Sequence, residues 1–515
     1  MIKEVEIVLL PHETADTSFL YSTTAQVLKI TQKRIHDIKV LKRSIDARGK
    51  KVVYRLKVQA FIDEEAPQEH FLVNYPSVSG KRRVIIVGAG PAGLFAALRC
   101  IEQGLKPVIL ERGKDVRQRR RDLAAINRNG VVNPESNYCF GEGGAGTYSD
   151  GKLYTRSNKR GDVQYVLKTF VAHGAAEDIL VDARPHIGTN KLPNIITAIR
   201  ESILNAGGEV HFDCKVTDFV LSGGEVKGVK TAGGMTIDGE ALILATGHSA
   251  RDVFHLLRKS NILVEPKPFA LGVRIEHPQT VIDQAQYHCT TRDPYLPPSY
   301  YSLVEQVGQR GVFSFCMCPG GIIAPCSTEP EEIVVNGWSP SRRNNPYANS
   351  GTVVQINLED MADPDDPFCL LDFQASVERK AWEAGGGGLV APAQRMIDFV
   401  NGKLSDTLPI NSYLPGTRSA ELGEVLPDMV HSRLRDALPA FGKKMKGYYT
   451  NEAILVGVES RTSSPVRIPR DRESLQHPQV RGLFPCGEGA GYAGGIVSAA
   501  IDGMNCADAV KRLLS

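Results

Sequence analysis

Long apolar runs are missing from this 515-residue chain. Nothing approaches the ~20 consecutive apolar residues of a membrane-crossing helix. An excess of one charge is missing too. The 61 Lys and Arg stand against 58 Asp and Glu, a net +3, so whole-chain electrostatics select no partner class. The N-terminus, Met1 to Leu10, alternates charged and apolar residues. It lacks the apolar core and cleavage site of a secretory signal and reads as a strand, so a cytoplasmic location is expected. No internal repeat is present. The 10 cysteines are scattered, as buried reduced thiols are. Cys316-Met317-Cys318-Pro319 with Cys326 nearby fits a CxxC redox pair poorly and matches no zinc or iron–sulfur spacing, so no metal is expected. The favoured reading is a buried strand ending in a Pro-Gly turn.

What is present divides the chain. Residues 1–78 read as a small α+β unit in the order strand, helix, strand, strand, a ferredoxin-like layer ending in the linker Asn74 to Gly80. At Arg83-Val84-Ile85-Ile86-Val87 a short continuous apolar run signals a central strand of a parallel sheet. A helix from Leu94 and a second strand, Pro107 to Leu110, complete a β-α-β unit. Residues 82–265 then form the first part of a dinucleotide-binding domain. Residues 266–449, rich in Pro, Gly and Asn, read as an inserted, less regular α+β substrate domain with long loops. Residues 450–515 return to a glycine-rich strand–helix pattern that completes the first domain. Gly385-Gly386-Gly387-Gly388 reads as a mobile loop able to serve a lid.

Gly88-x-Gly90-x-x-Gly93 carries the chemistry. Gly88 permits the tight turn, Gly90 admits a pyrophosphate close to the backbone, and Gly93 lets helix and strand pack closely. The helix opening at Pro91-Ala92 offers free N–H groups to the phosphates. Glu111 lies about twenty residues on, where an acid bonds ribose hydroxyls. Two distant segments favour FAD over NAD: Ala245-Thr246-Gly247, and Gly487-Glu488 through Gly494-Gly495-Ile496, where a new helix starts. Its N–H groups could face the flavin edge that gains negative charge on reduction. No second GxGxxG stands in the middle of the chain, so a dedicated NAD(P)H domain is not expected.

Together with Cys139 to Leu153 and Glu459 to Pro465, these motifs resemble an uncharacterised family of bacterial FAD-dependent dehydrogenases within the glutathione-reductase-like superfamily. The resemblance covers nearly the full length. It implies a discontinuous Rossmann-like FAD-binding domain of the glutathione-reductase-2 type, and it names no substrate. It also places the glycine-rich 139–153 segment beside the flavin, with Ser149, Asp150 and Lys152 as the polar groups near the ring. Residues expected at the cofactor further include Arg112, Gly143, Gly144, Ala145, Gly146, Gly151 and Val216.

The expected activity is hydride transfer between flavin N5 and a small molecule, with NAD(P)H or a carrier protein as electron partner. Candidate catalytic groups are Lys152, Asp150, Arg461 and His248. Arg461 can grip a carboxylate or phosphate, which points to an anionic substrate, or can hold Glu459 or a carbonyl for structure. His248 is a candidate proton donor or a loop cap. A different class is also open: eleven Lys and Arg between Lys29 and Lys57 could follow a nucleic-acid backbone.

Overall fold

The computed structural model describes residues 1–67, 71, 73–155 and 161–515. Its first unit is a three-stranded antiparallel sheet in which Val53–Ile62 lies between Ile2–Leu9 and Ile35–Asp46. One helix, Thr17–Leu28, packs on it. Asp16 caps that helix by accepting from the Ser18 N–H at 2.8 Å, and Lys29 closes it in the left-handed region. The unit stops at strand, helix, strand, strand, three of the four strands and one of the two helices of a ferredoxin-like layer. It bridges the rest of the molecule. Arg43 pairs with Asp182 at 2.6 Å and exchanges backbone hydrogen bonds with Val181 and Ala183. Tyr54 packs with Tyr287 and Leu296 and donates to the Tyr295 carbonyl.

The second unit is a five-stranded, wholly parallel sheet. Arg83–Val87 lies at its centre, flanked by Lys106–Leu110 and Glu209–His211 on one side and by Ala241–Leu244 and Leu483–Pro485 on the other. The inner strands are buried on both faces, which is why they read as unbroken apolar runs rather than alternating ones. Leu483–Pro485 extends the sheet from far along the chain. The helices Pro91–Glu102 and Ile496–Leu514 pack side by side over one face. Their backbones touch at Gly503, where a β-carbon would lie 2.0 Å from the Ala92 carbonyl oxygen.

The third unit corrects two expectations. Residues 266–449 are not irregular. They carry most of a seven-stranded sheet built on the ten-residue strands Phe269–Pro278 and Tyr347–Ile356. Buried polar side chains on these strands, among them Arg274, Glu276, His277, Asn349 and Thr352, break the apolar pattern that would have announced them. The sheet is also completed by Ile454–Glu459, which pairs with Phe269–Pro278 and with Ala391–Arg395. The boundary at 449 therefore moves past Glu459. Gly385 to Gly388 make a chain reversal between a helix and a strand. Gly385 ends the helix Cys369–Gly385 with its α-carbon tight against Val390, and the next three glycines take φ of +89°, +90° and +63° to reverse the chain into Ala391–Arg395. Only glycine adopts such a run without strain. Among the described residues no helix is long and apolar enough to cross a membrane.

Candidate functional site

The site begins at the carboxyl end of the parallel sheet. Gly88 leaves the central strand at φ +106°, and a β-carbon there would lie 2.4 Å from the Ala245 carbonyl oxygen. One on Gly93 would lie 1.9 Å from the Gly88 carbonyl oxygen. Both are closed by packing. Gly90 is different: it caps the helix that starts with Pro91-Ala92, and the nearest atom to its imagined β-carbon is Gly144 Cα at 4.0 Å. At Gly247, Gly494 and Gly495 nothing lies within 4 Å of that position. Open space thus lies against four glycines drawn from three distant segments, and the nineteen-residue helix Ile496–Leu514 opens beside it. Hydrogen bonds hold the segments together: Ala245 donates to Val87 and Gly143 to the Ala89 carbonyl. Gly144 and Gly146 pack against Gly90 and Pro91, and Ala145 between them is exposed. A glycine cradle with free N–H groups at a helix start fits a dinucleotide pyrophosphate.

Glu111 is buried beneath this cradle. One carboxylate oxygen accepts from Ala89 N at 2.8 Å, the other from Gly113 N and Gly141 N, both at 2.9 Å. It therefore ties the first glycine turn to the 139–153 segment, with accepting capacity left on Oε2. Val216 is a core residue two positions beyond Cys214, whose N–H bonds the Glu111 carbonyl. Arg112 is committed elsewhere: it pairs with Glu135 at 2.6 Å and Asp252 at 2.8 Å and stacks on Phe140. His248 Nδ1 lies 3.4 Å from Glu488, so these two residues pair across adjoining glycine turns. Gly487 N donates to Asp502, and Arg470 holds that carboxylate at 2.6 Å. Cys486, Asp502 and Cys506 lie close enough to share a metal ion. The Arg470 guanidinium already supplies the cation there, 3.5 Å from Cys506 Sγ as well.

The second part of the site is the seam between the parallel sheet and the seven-stranded sheet. Ser149 locks the turn of the 139–153 segment, accepting from Gly151 N and donating to the Gly146 carbonyl. Gly151 lies tight against Gly188 and Leu192. Asp150 is 2% exposed. Its Oδ2 pairs with Arg343 at 2.8 Å, and its Oδ1 has no partner among the described residues. Arg343 and Lys152 hold its carboxyl below the usual range although burial works the other way. Lys152 Nζ reaches across to the strand Arg310–Cys318, 3.6 Å from Cys316 Sγ and 3.5 Å from Cys318 Sγ. Cys316 and Arg343 adopt φ of +48° and +49°, an unfavourable conformation for residues with a β-carbon that concentrates at functional sites. All ten cysteines are free thiols.

Arg461 is not in this seam. Its guanidinium is buried among Glu332 at 2.6 Å, Glu378 at 3.0 Å and Thr328 at 2.8 Å, and Arg251 joins the same two carboxylates from the other domain. The structural role falls to Glu332, Glu378 and Thr328 rather than to the expected Glu459, which Arg274 takes, and four of the five guanidinium N–H groups are bonded there. The expected anion grip at Arg461 is withdrawn.

Three charged side chains escaped notice in the sequence. Arg119 is fully buried and donates to the carbonyls of Asn137, Tyr138 and Glu142, gathering the glycine segment. Its signal was spacing: Val116, Arg119, Leu123 and Ile126 share the buried helix face. Arg343 and Arg274 carried no such signal, since their partners Asp150 and Glu459 are far away in the chain.

The family described as FAD-binding domain matches residues 83–121, and that described as FAD-dependent protein, C-terminal domain-like, matches 268–462. A domain of unknown function matches residues 1–61. An uncharacterized protein of Clostridium beijerinckii is 40% identical over 513 residues, covering 96% of each chain. The chain belongs to that protein's family, and its cofactor is FAD. The match at 268–462 spans the strand Ile454–Glu459 together with the other strands of the seven-stranded sheet. Similar solved structures include a geranylgeranyl bacteriochlorophyll reductase-like protein from Thermoplasma acidophilum, 13% identical over 84% of this chain and 78% of that one, with a TM-score of 0.36. A glycine oxidase from Bacillus cereus is 13% identical over 84% and 96%, with a TM-score of 0.31. Both flavin-related family descriptions thus name FAD, and neither names a reaction.

Proposed function

We propose that the protein transfers a hydride between FAD and a small molecule bound at the seam between the parallel and the seven-stranded sheets. The observation that carries this is the set of open glycines within the FAD-binding fold: Gly90, whose nearest neighbour is 4.0 Å from the β-carbon position, and Gly247, Gly494 and Gly495, where nothing lies within 4 Å. FAD, when bound, supplies the two-electron chemistry at its ring. The chain supplies position and charge. Gly90 and the start of the helix Pro91–Glu102 would receive the pyrophosphate. Glu111 would meet the ribose, and the N-terminal turn of Ile496–Leu514 would stabilise negative charge on the reduced cofactor. Lys152 stays protonated: burial opposes its charge, but Cys316, Cys318 and Asp150 outweigh it. It can hold a substrate's polar group or hand over a proton there. The seven-stranded sheet lies across the seam, and a substrate bound there would displace water from the reacting atoms.

The test is anaerobic. Purified protein is reconstituted with FAD and mixed with NADH, NADPH and a panel of metabolites while the flavin absorbance is followed. Bleaching by one compound, abolished in Lys152→Ala with FAD retained, is the expected result. A flavin that binds but that no two-electron donor reduces, chemical hydride donors included, overturns the proposal.

A further inference from the structure

The two thiols at the seam are arranged in depth. Cys316 is exposed to solvent. Cys318 is buried behind it, its sulfur 3.3 Å from the Cys316 carbonyl oxygen and within hydrogen-bonding reach of the Cys316 sulfur. A strand that ran straight would send both side chains to one face side by side. Here the ladder slips between Phe315 and Cys318, and Cys316 sits at φ +48°, which brings one sulfur forward. Two cations converge on the pair. Lys152 Nζ contacts both sulfurs, and Arg274 Nη2 lies 3.5 Å from Cys318 Sγ while donating to the Cys316 carbonyl at 2.7 Å. The negative groups are placed further back. Glu459 is taken up by Arg274 at 3.0 Å, and Asp150 by Arg343. The exposed thiol is thus next to an ammonium and a buried thiol.

We propose that Cys316, Cys318 and Lys152 form a thiol–disulfide exchange site whose substrate class is a small disulfide. The site rests on the seam being where substrate binds, as proposed above, but it needs no flavin turnover. The Cys316 thiolate attacks one sulfur of the disulfide RSSR. A new S–S bond forms, the old one breaks, and RS⁻ leaves, taking its proton from water or from Lys152. The Cys318 thiol, losing its proton as it attacks, then displaces the second RS⁻ from Cys316. The balance is one dithiol and one disulfide giving one protein disulfide and two RSH. An external dithiol reverses it. The hydrogen bond from Cys318, then Lys152 and Arg274, hold the Cys316 thiol well below its ordinary range, against burial and Asp150. Cys318, which gives that hydrogen bond and is buried, is raised and keeps its proton until the second step. That division of labour suits an attacking and a resolving thiol.

The test uses the full-length protein carrying FAD. Iodoacetamide labelling is followed across pH by peptide mass. Cys316 should label with a midpoint below about pH 7, where an ordinary thiol titrates near 8.5, and Lys152→Met should raise that midpoint by about one unit or more. Hydroxyethyl disulfide should make the wild type lose two hydrogens, with the bond mapped to Cys316–Cys318. In Cys318→Ser it should instead leave one hydroxyethylthio group on Cys316. A Cys316 midpoint near the ordinary thiol value, or a wild type in which mapping finds no Cys316–Cys318 bond, overturns the proposal, and this second measurement stands even if a variant fails to fold. Retained flavin with inert thiols refutes only the exchange site. Reactive thiols in a protein whose flavin no donor reduces refute only the hydride-transfer reading.

Discussion

At the scale of single residues, the contrast between closed and open glycines makes sharp demands. Gly90→Val would project a branched side chain into the space beside Gly144 without touching the protein core. The variant should fold, as judged by circular dichroism and its thermal midpoint, and should lose FAD on gel filtration. A yellow Gly90→Val protein would put the phosphates elsewhere. Glu378 makes a different demand. It is buried between Arg461 and Arg251, and those two guanidinium groups hold its carboxyl far below the usual range despite the burial. A depressed carboxylate adds stability that is complete above its unfolded value, about 4.3, and that drains away as pH falls toward the folded value. Glu378→Gln should therefore cost about 3–5 kcal/mol near neutrality, since it strands buried positive charge. Denaturant titrations of the two proteins should converge as the pH drops below about 4.

The elements differ in how plainly the sequence announces them. The parallel strand Arg83–Val87 and its helix were legible because a continuous apolar run followed by spaced glycines has one physical solution. The meeting of Gly88, Ala245 and Gly487 segments was legible for the same reason. The seven-stranded sheet was not. Its central strands bury Arg274, which donates to Glu459, Asn336 and Asn349, and Glu276, which accepts from Ser412, all partners from other parts of the chain. Periodicity cannot register a polar residue satisfied at long range. Nor could spacing reveal that Lys152 meets Cys316 and Cys318, which looked like an ordinary buried strand end. The two packed helices supply a prediction at this scale. Gly503→Leu would drive a side chain into the Ala92 carbonyl and push Ile496–Leu514 away from Pro91–Glu102. Overpacking of this kind costs typically 1–3 kcal/mol. The first turn of the displaced helix should also bind FAD more weakly, read as a higher dissociation constant in a fluorescence titration. A destabilised variant with unchanged FAD affinity would separate that helix from the cofactor.

For the whole molecule, the N-terminal unit is a clamp across two domains rather than an appendage. Of its basic residues, Arg34 pairs with Asp63, Arg48 and Arg55 with Asp46, Lys57 with Glu4, and Arg43 with Asp182. Much of the stripe that suggested a nucleic-acid track is neutralised within the protein. Duplex or single-stranded RNA should give no salt-dependent mobility shift, and a shift lost on removing residues 1–61 would reverse that view. Removal should also bare Tyr287 and Leu296 and raise light scattering on heating. The doubling back of the chain has a consequence in time. The pyrophosphate turn at Gly88 and the helix that opens at Ile496 are separated by about four hundred residues, and a ribosome adding roughly 5–20 residues per second takes about 20–80 seconds to cover them. Through that interval the apolar face of Pro91–Glu102 waits without its partner helix, and once Ala241–Leu244 is made its edge waits for Leu483–Pro485. The nascent protein is thus a holder of half a binding site, dependent on chaperones or on early docking of its neighbours. The glycine cradle is therefore complete for FAD only after Ile496–Leu514 has been made.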